Sequence, residues 1–209
     1  MVDCSCQLDG DVRRKERKLT VLDIRRAGQA DARAVAEVHV ASWRETYRGI
    51  VPDAFLDTLS VAEREQMWAR GLAVPDRPSF VFVAADAAGR VVGFAGGGPR
   101  RDGDPAYAGE LYTVYVLREA HGQGAGRRLV AAVARELAAR GMRSMLVWVF
   151  EQNPARRFYE TLGGTFLGQQ QFELGGQMMT EVSYGWLDTA PLYKGDGDGD
   201  DDDRNHNGD

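Results

Sequence analysis

The stretch His121-Gly-Gln-Gly-Ala-Gly126-Arg127-Arg128 is the part of the chain best suited to hold an anion. Glycines at 122, 124 and 126 let the backbone turn tightly and gather N–H groups at a helix start, where the helix dipole also favours negative charge. A pyrophosphate is the natural guest; the alternative is a bare strand-to-helix turn. The spacing is not the dinucleotide pattern G-x-G-x-x-G, because the third glycine comes too early, and the lysine of a Walker loop is missing. Downstream, Asn153-Pro-Ala-Arg-Arg-Phe-Tyr159-Glu-Thr-Leu-Gly163 places an asparagine just past a strand end and a tyrosine on the helix that follows. Both would face a cleft at that strand's C-terminal edge, where a phenol can donate a proton. Core packing of Phe158 and Tyr159 is the competing reading.

Other residues could act around these two segments. Glu110 opens the strand that leads into the glycine loop and is either a base or an ordinary acid at a strand start. His39, Trp43 and Tyr47 recur every four residues and share one helical face, as packing or as a pocket wall. His39 is a further candidate base, and Glu151, just past a strand, an outside one. Cys4 and Cys6 are two ligands in a polar leader, too few for a structural zinc. Asp196-Gly-Asp-Gly-Asp200 begins like a calcium loop, but Asp201 stands where glycine is needed and Asn207 where the closing glutamate belongs. No metal site is expected.

Periodicity supplies the elements that must position these residues. Thr20 to Ile24 alternates as a short strand, and Asp31 caps a helix with Val35, Val38, Ser42 and Trp43 on one side. Ser60 with Glu63 forms a capping box for a helix through Trp68 that stops at Gly71. Phe80 to Ala85 and Arg90 to Ala95 form a hairpin across Gly89, and Leu111 to Val116 is the next strand. In Arg127 to Arg140, Leu129, Val133 and Leu137 recur every four residues, giving a helix with one buried stripe. Ser144 to Phe150 is a strand, Pro154 to Leu162 a helix closed by Gly163-Gly164, and strands at 165–174 and 178–186 flank Gly175-Gly176. The order is mixed α/β, a central sheet with helices on its faces.

Length and charge bound the function. The 209 residues carry 26 Lys+Arg against 31 Asp+Glu. Seven aspartates from 196 to 209, against Lys194 and Arg204, account for the whole net charge of −5, so residues 1–193 are neutral. A neutral body excludes the basic surplus of nucleic-acid binders. Lysine occurs only at 15, 18 and 194, which argues against Schiff-base chemistry within the domain. With a mean hydropathy of −0.38 and no long apolar run, no membrane span is expected; with no secretory signal and scarce cysteine, the expected location is cytoplasmic. Residues 1–18 read as a disordered leader, 19–193 as one domain and 194–209 as a disordered acidic tail.

Together, the His121–Gly126 loop and the Asn153…Tyr159 pair ahead of Gly163 resemble the GCN5-related N-acetyltransferase (GNAT) superfamily, with His121 replacing the usual arginine or glutamine. Trp43-Arg-Glu-Thr-Tyr47-Arg-Gly-Ile-Val-Pro52 and the ending Glu181 to Trp186 look like one bacterial branch of it. The resemblance, covering roughly Ile24 to Trp186, implies a single-domain α/β fold. Its mixed, mostly antiparallel sheet would be splayed between strands four and five, with helices on both faces. Acetyl-CoA would lie in the gap as co-substrate, its pantetheine on the backbone of Val114, Tyr115 and Val116. Its pyrophosphate would rest on the loop formed by His121, Gly122, Gln123, Gly124, Ala125, Gly126 and Arg127, with Arg127 or Arg128 adding charge.

By the same resemblance, Asn153 would bond the pantetheine arm and Tyr159 would protonate the departing thiolate. Glu110 or a water chain would take the amine's proton, and His39, Trp43 and Tyr47 would border the acceptor. The implied activity is transfer of an acetyl group to a primary amine, on a small molecule or a peptide, in a ternary complex. The alternative is an acyl-CoA-binding module or sensor without turnover. Homodimers are common in the family, and the Gly175 hairpin is the implied contact.

Overall fold

The computed structural model describes residues 22–194. The expected leader, Cys4, Cys6 and the acidic tail past Lys194 lie outside them. The strands are β1 (Asp23–Arg26), β2 (Phe80–Ala85), β3 (Val91–Pro99), β4 (Gly109–Val116), β5 (Met145–Phe150), β6 (Thr165–Leu174) and β7 (Gln177–Trp186). The helices are α1 (Ala32–Thr46), α2 (Asp53–Asp57), α3 (Val61–Leu72), α4 (Ala125–Ala139) and α5 (Arg156–Thr161).

The strands form one sheet in the order β1-β2-β3-β4-β5-β7-β6, antiparallel throughout except for β4 beside β5. Side chains alternate across it, and the alternation sorts the core into two faces. Phe80, Ala84, Val92 and Ala95 pack with Leu129, Val133 and Leu137 of α4, all three fully buried. Val81, Val83 and Phe94 pack on the opposite side with Val35 and Val38 of α1. Apolar residues on both faces of β2 thus require helices on both faces, as expected.

Several local expectations shift. β1 runs past the expected end at Ile24 to Arg26 because pairing extends it: Asp23 faces Ala85 and Arg26 faces Phe82, while Thr20 and Val21 of the expected strand lie outside the described residues. Asp31 occupies the N-cap of α1, but its carboxylate accepts bonds from Arg25 and the Gly28 N–H instead of capping the helix. Ser60 Oγ does accept the Glu63 N–H. β3 continues through Gly96, Gly97 and Gly98 to Pro99, residues with little strand propensity. Tertiary packing explains the central one: a Cβ on Gly97 would come within 2.6 Å of Val133 Cγ1 and 3.0 Å of the Glu110 carbonyl oxygen. The five-residue α2, set off by Pro52, was not anticipated.

The expected splay is present. β4 and β5 pair at only three positions, Gly109 with Met145, Glu110 with Leu146 and Leu111 with Val147. Beyond them β4 stays with β3 up to Val116, while β5 follows β7 to Phe150 opposite Glu181. The two strands therefore part.

Candidate active site

The parting opens a cleft of about 850 Å³, walled by β4 from Tyr112 to Val116, β5 from Val147 to Phe150, the end of α1 and the starts of α4 and α5. A strand edge that has left its neighbour carries unpaired N–H and C=O groups, so this wall is a ready hydrogen-bonding template. At the far end of β4 the glycine loop enters α4. Gly122 and Gly124 have φ of 73° and 81°, left-handed values that favour glycine, and Gly124 is the helix N-cap. Arg128 N–H bonds to the Gly124 carbonyl, which leaves the N–H groups of Ala125, Gly126 and Arg127 ahead of the first helical bond. Arg127 lines the cleft, whereas Arg128 turns away and donates to the Leu22 carbonyl at 2.8 Å. His121 Nε2 donates to the Val116 carbonyl at 2.9 Å and ties the loop to the strand.

Across the cleft stand Asn153 and Tyr159, both nearly buried. Asn153 Oδ1 accepts the Ala155 N–H at 2.9 Å, fixing the entry to α5, while its Nδ2 donates to the Tyr47 hydroxyl at 3.4 Å. Burial, and next the neighbouring Tyr115 hydroxyl, push the Tyr159 phenol well above its ordinary pKa. It therefore keeps its proton at neutral pH. Burial likewise raises Tyr47 and Tyr115. The buried side-chain polar atoms without a protein partner, among the described residues, are Ser42 Oγ, Trp43 Nε1, Thr113 Oγ1 and Trp148 Nε1. All four residues line this one cleft. Buried polar groups nearly always find partners, so a set of orphans converging on one cavity marks a place built for a polar guest.

Of the residues anticipated from sequence, Trp43, Tyr47, Val114, Tyr115, Val116, His121, Gly122, Gly124, Ala125, Gly126, Arg127, Asn153 and Tyr159 line the cleft. Three do not. The Gln123 side chain folds back to donate to the Glu119 carbonyl. His39 lies among Trp43, Trp68, Phe94 and Tyr115, accepts the Trp68 Nε1–H at 3.3 Å on Nδ1, and is held neutral by burial, its pKa lowered to about 4. Glu110 is 2% exposed and sealed by Arg101, which bonds it through backbone N–H, Nε and Nη2. The sequence reading missed Thr113, Trp148, Tyr112 and Glu181 as cleft walls. They sit inside predicted strands, and only the place where β4 and β5 part exposes them.

Residues 35–164 match the model of the acetyltransferase (GNAT) family. The chain belongs to that family. Its relatives include an uncharacterized N-acetyltransferase, YuaI, of Bacillus subtilis, 42% identical over 173 residues that cover 82% of this chain and 96% of that one. The L-methionine sulfoximine/L-methionine sulfone acetyltransferase of Pseudomonas aeruginosa is 29% identical over 79% of this chain and 89% of its own. Among solved structures, a putative acetyltransferase of Salmonella typhimurium with its cofactor acetyl-CoA superposes with a TM-score of 0.60 at 25% identity, covering 81% of this chain and 95% of that one. No described helix is long and apolar enough to cross a membrane.

Proposed function

We propose that this GNAT chain is an acetyl-CoA-dependent N-acetyltransferase that passes the acetyl group directly to a primary amine in a ternary complex. One observation carries the reading: the parted edges of β4 and β5 end at a loop of free N–H groups, with a protonated tyrosine in the opposite wall. The Salmonella structure's acetyl-CoA and the Pseudomonas relative's amine-bearing substrates agree with it.

The thioester, when bound, supplies an activated acetyl group. The edge of β4 from Val114 to Val116, whose Val116 carbonyl already accepts from His121, is suited to the amide-bearing arm, and the N–H groups of Ala125 to Arg127 with the Arg127 guanidinium to the pyrophosphate. Asn153, already committed to Ala155 and Tyr47, holds the opposite wall in register and offers its remaining amide hydrogen. Tyr159 keeps its proton until a thiolate forms and then donates it. An attacking ammonium must first lose a proton. A water chain admitted to the cleft is assigned that step, while Glu110, closed off by Arg101, keeps Arg101 and Tyr112 in place.

Thiol release from acetyl-CoA over an amine panel tests the proposal. Tyr159→Phe should lower kcat by about 100-fold or more and leave coenzyme A affinity within about two-fold. An unchanged rate removes Tyr159 from the mechanism. Tight cofactor binding with no thiol release on any amine would show a binding module instead.

A further inference from the structure

A second concavity, an open groove of about 940 Å³, lies beside the cleft between α3 and the start of β2 with the end of β3. It meets the cleft at Tyr112 and Thr113, which line both. Four arginines line it, Arg70, Arg77, Arg100 and Arg101, and no acid does. Arg101 is neutralised by the buried Glu110. Arg77 donates to the Gly71 carbonyl, Arg100 to the Tyr107 and Gly103 carbonyls, and no carboxylate pairs with Arg70, Arg77 or Arg100 among the described residues. In a neutral body this is a local surplus of positive charge. Guanidinium groups bind carboxylates and phosphates by charge-assisted and often bidentate hydrogen bonds.

The floor is as telling as the rim. Gly96 lies inside β3, where glycine weakens a strand and often marks the close approach of a ligand. Packing does not require it: a Cβ there would meet nothing nearer than Thr113 Cγ2 at 3.4 Å. The Thr113 hydroxyl, buried and without a partner, stands at the junction. Of the acids at the cleft, Glu45 lies on α1 and Glu181 on β7, and Glu181 is near enough to act on Arg101, the arginine already paired with Glu110.

From this we infer that the acceptor is a small amine bearing an anionic group, a carboxylate or a phosphate, which the groove arginines hold while the amine enters the cleft past Tyr112 and Thr113. The inference rests on the acetyltransferase reading and adds the substrate class.

Matched acceptors test it, with acetyl-CoA saturating: leucine against isopentylamine for the carboxylate, and 2-aminoethyl phosphate against ethanolamine for the phosphate. The anionic member of at least one pair should show a kcat/KM about 10-fold or more higher, and which pair responds identifies the anion. Arg70→Gln and Arg77→Gln, both changes of exposed side chains, should raise KM for that acceptor about 10-fold with kcat and the neutral amine's kcat/KM unchanged. Equal use of both members of each pair, or an unmoved KM in both variants, overturns the inference. Thermal stabilisation by the anionic amines in the presence of coenzyme A provides a readout without turnover. A shift that the arginine variants lose supports the groove even if no thiol is released, in which case the acetyltransferase reading alone fails. No shift with either anion overturns the groove.

Discussion

Replacing His39 with asparagine should flatten the acid limb of the stability curve. His39 is neutral in the folded protein, with a pKa of about 4, because it is buried, with the positive charge of Arg64 a smaller cause. In the unfolded chain it titrates near 6.5. As the pH falls below 6.5 the unfolded chain takes up a proton that the folded one refuses, so stability is lost on acidification and is complete again above about pH 7. Each pH unit of difference corresponds to about 1.4 kcal/mol, so this group alone should remove about 2 kcal/mol between pH 7 and pH 5 and about 3 by pH 4. Asparagine cannot titrate, yet its Oδ1 can replace Nδ1 as acceptor for the Trp68 indole, a bond of 3.3 Å in the native protein. Lost ring contacts with Trp43, Phe94 and Tyr115 lower stability at every pH alike, so the slope is the quantity to compare. Urea unfolding at pH 7, 6 and 5 measures it. With an m-value of about 2 kcal/mol per molar urea, the wild-type midpoint should fall by about 1 M over this range and the variant's by much less. Equal slopes would show that His39 is not a buried neutral imidazole, and the packing described for α1 on α3 would be wrong.

Other outcomes follow from the same structure. Burial raises the phenols of Tyr47, Tyr115 and Tyr159, so above pH ~10 the unfolded chain loses protons that the fold retains, and stability should fall by up to about 4 kcal/mol per pH unit for the three together. Denaturation between pH 10 and 11 checks this, and Tyr159→Phe should remove about a third of the slope. Gly124→Ala places a Cβ in open space at φ 81°, so its cost is backbone strain of about 1 kcal/mol, a Tm lower by ~2–4 °C, with weakened coenzyme A binding by titration calorimetry. An unchanged Tm would mean that the loop does not hold the left-handed turn. Glu110→Gln keeps an acceptor for the Arg101 N–H but loses the ion pair, so kcat should drop less than about 10-fold with an unshifted pH profile. A loss of about 1,000-fold, with the alkaline-rising limb of the profile abolished, would make Glu110 the base.

Much of the site was legible because its parts are local in sequence. The glycine loop and the Asn153…Tyr159 segment each need only a short stretch with the right turn and helix signals, and each lies where its spacing indicated. Arg127 and Arg128 show the boundary of that legibility. Sequence leaves open which of the two turns inward; the structure commits Arg128 to the Leu22 carbonyl, 106 residues away in the chain. His39 and Trp43 share a helical face, yet only Trp43 reaches the cleft, since α3 brings Trp68 over His39.

By itself, the sequence determined the α/β order, the four-residue stripe of α4, the tight glycine turn before it and the neutrality of the body, all of which depend on local conformational preference or on counting. Tertiary structure alone decided that β4 and β5 part after three paired positions, that Glu110 disappears beneath Arg101, that four orphaned polar groups line one cleft, and that an arginine-lined groove adjoins that cleft at Tyr112 and Thr113. The physical reason is range. A turn or a cap is settled by neighbours a few residues apart, whereas burial, orphaned donors and uncompensated charge exist only once distant segments have excluded water from one another.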